Sequence, residues 1–341
     1  MLKHFSDLTK YRSIWMGLAI LWVIFYHIGM EVNVPVLHEL KSTGYGGVDI
    51  FVFCTGMGCF YSLERNPDLL DFYKRRFWRI YPTYWLFIPF WFIYKAFIGE
   101  LKPSYVVGNV LGVQTFSGNW NEVTWYISAL FLFYLLCPVF YFLIKKIRDN
   151  HIAFIVTFAV LLFSTVAFWN SLHMNIITTR IPLLFLGMLF GKLCVNDTKI
   201  SQVTRVIAIA LMVLGVVMLR VFTRFFREQV RPLGLWWYPF ILIVPGLCLI
   251  LAELANFLDK YKGTSYLLDA TSRLGAISFE LLLVHLLVFE MVNWLIEKQF
   301  FKNTVIVWLG ALCATLVLAV VLSKATNMLK SRIRGCRVRG N

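Results

Sequence analysis

Charge is scarce in this chain, and long polar stretches are missing. Asp, Glu, Lys and Arg make up 15% of its 341 residues, against 59% hydrophobic and 17% aromatic residues, and the mean hydropathy is +0.71. That balance excludes a soluble domain and leaves no room for a soluble module. No internal repeat or low-complexity tract is visible, so the inverted-repeat signature common among transporters is absent. The seven cysteines (54, 59, 137, 194, 248, 313 and 336) lack paired spacing. They support neither a disulfide framework nor a zinc site, and no metal site is expected. Acidic residues number 18 against 33 basic ones, a formal charge of +15. Nucleic acid need not be invoked, because most of that excess follows the membrane topology and the rest forms a basic tail, KSRIRGCRVRG, suited to anionic headgroups. No cleavable signal peptide is expected either, since the first apolar run is long enough to span and lacks a small-residue cleavage site.

What the chain does have is a series of apolar runs of roughly 17–25 residues broken by short charged loops. These predict an all-α fold, a polytopic transmembrane helical bundle of about ten spans. The expected spans are about 14–31, 46–62, 79–99, 123–144, 152–169, 181–195, 203–220, 235–257, 275–297 and 304–323. Residues 104–116 are apolar but hold Gly108, Asn109, Gly112 and Gln114, and read as a re-entrant or interfacial stretch. Residues 1–341 form one domain, with a core over 12–323 and a basic tail over 324–341. With the N-terminus inside, inner segments hold 23 of the 33 basic residues and outer segments 10. Both termini are therefore expected in the cytoplasm. Arg220, Arg224, Arg227 and Arg231 run against that bias: either they serve an anionic outer partner or the helix count near them is off by one.

Ionisable groups inside such runs are functional candidates by default. His27 lies near the outer end of the first run, roughly 20 Å from its inner end at 1.5 Å per residue. Glu31 at i+4 shares its face and could set the imidazole tautomer. Asp49 sits about one turn below the outer end of the next, antiparallel span, at similar depth. A histidine backed by a carboxylate is the usual arrangement of a general base; the plainer reading is a structural bond locking two helices. At the inner mouth of the third span, FYKRRFWRIYPTYW presents Arg75, Arg76 and Arg79, with Arg76 and Arg79 at i and i+3. Guanidinium groups so placed suit phosphate, although basic residues at an inner helix end are also ordinary topology signals. His285 falls near mid-span in LGAISFELLLVHLLVFE. Glu280 lies five positions earlier, about 140° around the helix, so each needs a partner from elsewhere. Arg180 opens the sixth span and could hold an outer polar group, and Trp125 could stack on a substrate.

Six stretches together resemble the acyltransferase-3 family of integral membrane acyltransferases. They are GLAILWVIFYH (17–27), GGVDIFVFCTG (46–56), FYKRRFWRIYPTY (72–84), WYISALFLFYLLCP (125–138), RIPLLFLG (180–187) and LGAISFELLLVH (274–285). Their order and spacing fit the family's ten-helix core. The resemblance implies an enzyme of the plasma (bacterial inner) membrane that moves acetyl or similar groups from cytoplasmic acyl-CoA to extracytoplasmic acceptors, mostly sugar hydroxyls of polysaccharides, lipid-linked glycans or peptidoglycan. It implies that His27 is the essential first-helix histidine and that Arg76 and Arg79 handle the donor. The co-substrate would be acetyl-CoA or another acyl-CoA, with no permanently bound cofactor. Many members carry an arginine eleven residues before the histidine, where this chain has Met16. Arg12, one turn earlier, could reach into the same region. No counterpart of the esterase-like domain of some relatives is expected.

Two functional readings follow. In the first, an O-acyltransferase uses His27, supported by Asp49 or Glu31, to deprotonate an acceptor hydroxyl or to carry the acyl group. In the second, a transporter or flippase of a lipid-linked or anionic solute uses the buried histidines and carboxylates as a proton relay. The missing repeat and the donor-shaped layout favour the first.

Overall fold

A computed structural model describes residues 1–117, 124–146, 155, 157–162, 172–300 and 304–339. The protein is an all-α polytopic helical bundle. In chain order the helices are α1 (Arg12–His27), α2 (Pro35–Ser42), α3 (Gly46–Arg65), α4 (Leu69–Phe97), α5 (Pro103–Leu111), α6 (Trp125–Lys146) and α7 (Leu172–Thr178). They continue as α8 (Ile181–Val195), α9 (Gln202–Phe225), α10 (Arg227–Val230), α11 (Pro239–Leu258), α12 (Lys262–Ala276), α13 (Ser278–Glu297) and α14 (Thr304–Arg339). Among the described residues no β-strand forms, only an isolated bridge between His4 and Lys199. Among the described residues, eight helical stretches are long and apolar enough to cross a membrane. The expected third span corresponds to α4, which is long enough but, with its tyrosines, tryptophans, Pro82 and Pro89, less apolar than the eight. The expected fifth, 152–169, lies largely outside the described residues.

The described residues divide into two bodies: 1–19, 46–72 and 129–275 form one, and 20–45, 73–128 and 276–341 the other. The first is built around α3 and α8. Their backbones nearly touch: a Cβ on Gly187 would lie 2.2 Å from the Phe53 carbonyl oxygen, and one on Gly56 2.3 Å from that of Leu184. Only hydrogen fits there, and close approach of small residues is how helices gain packing energy where lipid removes the hydrophobic drive. The N-terminal 3₁₀ turn, Phe5–Tyr11, straps onto the same body. Phe5 stacks edge-on against Phe190, and Arg205 binds the carbonyls of Leu2 and Ile200 and the Glu253 carboxylate. Helix α9 starts at the N-cap Ser201, whose hydroxyl accepts the Thr204 amide at 3.0 Å. It packs on α11, closely at Gly215 and Gly246, and its apolar stretch is only 11% buried. Val206, Ile207, Val213, Leu214 and Val217 are left exposed, the surface of a helix solvated by lipid.

In the second body α1 stops at His27, four residues short of the expected end of the span. The chain then folds back. The Trp22 indole donates to the Leu40 carbonyl at 2.7 Å and Lys41 Nζ to that of Met30 at 2.7 Å, fastening α2 alongside α1. Burial holds the Lys41 pKa below the usual lysine value, opposed by the Glu31 charge. The 104–116 stretch is not a span: α5 is nine residues long and ends against α4. Tyr84, Trp85 and Tyr81 donate in turn to the carbonyls of Asn109, Val110 and Leu111, satisfying groups that a helix end leaves open. Helices α13 and α14 form the other wall of this body, with Phe289 edge-on to Trp308 at 5.1 Å.

Candidate active site

His27 and His285 meet in the second body, although 258 residues separate them in sequence. His27 Nδ1 lies 2.9 Å from the Val23 carbonyl oxygen and 3.4 Å from His285 Nε2. His285 Nδ1 in turn lies 2.9 Å from the Leu281 carbonyl oxygen. A carbonyl oxygen only accepts, so both rings carry their proton on Nδ1. His285 Nε2 is then an acceptor for the His27 Nδ1–H, shared with Val23, and the His27 lone pair sits on Nε2. The ring centroids are 5.2 Å apart, edge to face, and Phe289 packs at 5.7 Å against His285, which is fully buried. His27 is half-buried and Tyr26 packs against it. His285 is the eighth residue of α13, and about 18 Å of helix follows it, so the pair lies well within the length of that span rather than at its end.

Glu31 does not share the His27 face, because α1 has already ended, and i+4 geometry needs a continuing helix. It is exposed and faces Lys41 instead. Glu280 sits in the first turn of α13 with Lys330 of α14 as its nearby positive charge. Arg75, Arg76 and Arg79 follow one another early in α4; Arg76 is 8% exposed, whereas Arg75 and Arg79 face outward. Trp125 opens α6, edge-on to Tyr126.

In the first body Asp49 lies in the first turn of α3, 1% exposed, and Arg180 clasps it. Arg180 Nε is 3.1 Å from one carboxylate oxygen and an Nη 3.2 Å from the other, a bidentate pair. The same guanidinium donates to the Ile176 carbonyl at 2.5 Å and lies over the Trp237 ring at 5.2 Å. Asp49 and Arg180, separate candidates in the sequence, therefore form one unit.

A family model described as an acyltransferase domain matches residues 16–324, most of the chain. The chain belongs to the acyltransferase-3 family. The match takes in His27, Asp49, Arg76, Arg180 and His285 and stops where the basic tail begins. No curated protein and no solved structure matches the chain. This membrane acyltransferase also holds an ionic cluster that is not among the candidates above. In the second body Lys95 pairs with Glu100 at 2.8 Å and Glu290 at 3.6 Å, over the rings of Trp91 and Tyr94. Its signal was available: a lysine in one apolar run and a glutamate in another, each costly alone.

Proposed function

We propose that this acyltransferase moves an acyl group, acetyl foremost, from cytoplasmic acyl-CoA to a hydroxyl of an extracytoplasmic cell-surface carbohydrate. The contact between His27 and His285 is the observation that carries the reading. The tautomer it implies leaves His27 Nε2 to take the proton of the acceptor hydroxyl as its oxygen attacks the thioester carbonyl. The carbon–sulfur bond then breaks, and the departing thiolate recovers that proton. His285 holds the Nδ1–H side and so acts as a positioning residue. Arg75, Arg76 and Arg79 supply guanidinium groups for the donor phosphates, and Trp125 offers a face to a sugar ring. Both termini lie in the cytoplasm of a plasma (bacterial inner) membrane, as the basic residues distribute.

The test is transfer of radiolabelled acetyl from acetyl-CoA to envelope glycans, in membranes carrying wild type, His27→Ala or His285→Gln. His27→Ala should lose about 10²–10⁴-fold or more, the scale of a positioned general base. His285→Gln should lose less and keep measurable turnover. Wild-type turnover by His27→Ala would sink the mechanism.

A further inference from the structure

Arg12 is the first residue of α1 and half-buried in the first body, laid across α3. A guanidinium offers five N–H donors. Here a single Nη makes one long bond, 3.3 Å to the Cys54 carbonyl. Its Nε is buried with no acceptor at all. Among the described residues no carboxylate lies within 4 Å of it. Among the described residues, the two buried arginines of this body each have an anionic partner: Arg180 has Asp49 and Arg205 has Glu253. A positive charge partly withdrawn from water without a counter-charge is costly, and the cost vanishes when an anion completes it.

The neighbouring backbone is shaped for the group. At Gly58 of α3, a Cβ would sit 3.4 Å from Arg12 Nη2 and 3.8 Å from Cζ. A methyl group there would lie in ordinary contact with the guanidinium, so the glycine leaves space beside it. Ser13, the next residue, is held to Ser272 by a 2.7 Å hydroxyl bond, which fixes the start of α1. The fork is thus seated in a notch, anchored at one corner, with its remaining donors unspent.

We propose that Arg12, in the Gly58 notch of α3, binds a phosphate group. Fork geometry and an undivided positive charge match phosphate oxygens two at a time. Two sources carry that chemistry at a membrane protein: the phosphates of the CoA donor and a phospholipid headgroup. The phosphate chemistry stands whether or not acyl-CoA is the donor.

Wild type, Arg12→Gln, Arg12→Lys and the turnover-defective His27→Ala would be purified into nanodiscs of phosphatidylglycerol and phosphatidylcholine. CoA affinity would be read by calorimetry and retained phosphatidylglycerol by native mass spectrometry, neither of which needs turnover. Arg12→Gln should weaken one of the two by about tenfold or more, while His27→Ala, with Arg12 intact, matches wild type. A fall in CoA affinity assigns the phosphate to the donor; a fall in retained lipid at constant CoA affinity assigns it to the headgroup. Arg12→Lys keeps the charge without the fork and should fall between. If either Arg12 variant retains wild-type CoA affinity and wild-type lipid, the site does not exist.

Discussion

Asp49 and Arg180 are each 1% exposed, and each supplies the counter-charge that the other's burial calls for. Removing one member strands a charge: breaking a buried pair in this way costs about 3–5 kcal/mol. Asp49→Asn should therefore lower the melting temperature in detergent sharply, and Arg180→Gln similarly. The double variant should lose clearly less than the two single losses summed, because neither charge is then left alone. Strict additivity in that cycle would show that the two side chains do not act as a pair. The sequence marks both residues as expensive but could not join them, since 131 positions intervene and no local spacing links them. The histidines show the same limit. Depth in an apolar run singles out His27 and His285, whereas their contact depends on how α1 and α13 pack.

At the level of elements, packing explains which helix limits were legible. Long apolar runs such as α6 and α11 are visible because the lipid demands them. The end of α1 is not, because Ile28 and Met30 are as apolar as the helix before them; the chain turns back there under the bonds from Trp22 and Lys41. Helix α4 starts at Leu69, ten residues before the expected span, because its first turns are charged and lie outside the apolar signal. The α3–α8 crossing gives the sharpest test of element packing. Gly187→Val would drive a side chain into the Phe53 backbone, where no rotamer relieves the clash. Such overpacking costs about 1–3 kcal/mol, and more where backbone is the obstacle. Thermal unfolding of purified Gly187→Val should show a lower midpoint than Gly187→Ala, and both should fall below wild type. An unchanged midpoint would mean that the helices can part there freely.

For the whole molecule, the parity of its crossings sets on which side the basic tail lies. The distribution of basic residues expects an even number, with the tail of α14 in the cytoplasm. A C-terminal green fluorescent protein fusion should therefore fluoresce, and a C-terminal alkaline phosphatase fusion should be inactive. Phosphatase activity would put the tail outside and make the count odd. Helix α14 itself has 36 residues, about 54 Å, against about 30 Å of hydrocarbon, so much of it runs on beyond the membrane core. Helix α9 is the opposite case, with most of the residues on its apolar stretch outside its contact with α11 left exposed. Lipid asks only that a side chain be apolar, and the exchange of one aliphatic residue for another there has almost no energetic consequence. Such a helix is free to drift. Two enzymes descended from one ancestor could keep the paired histidines, the clasped aspartate and the glycine crossing, yet lose nearly all pairwise likeness along their lipid-facing walls.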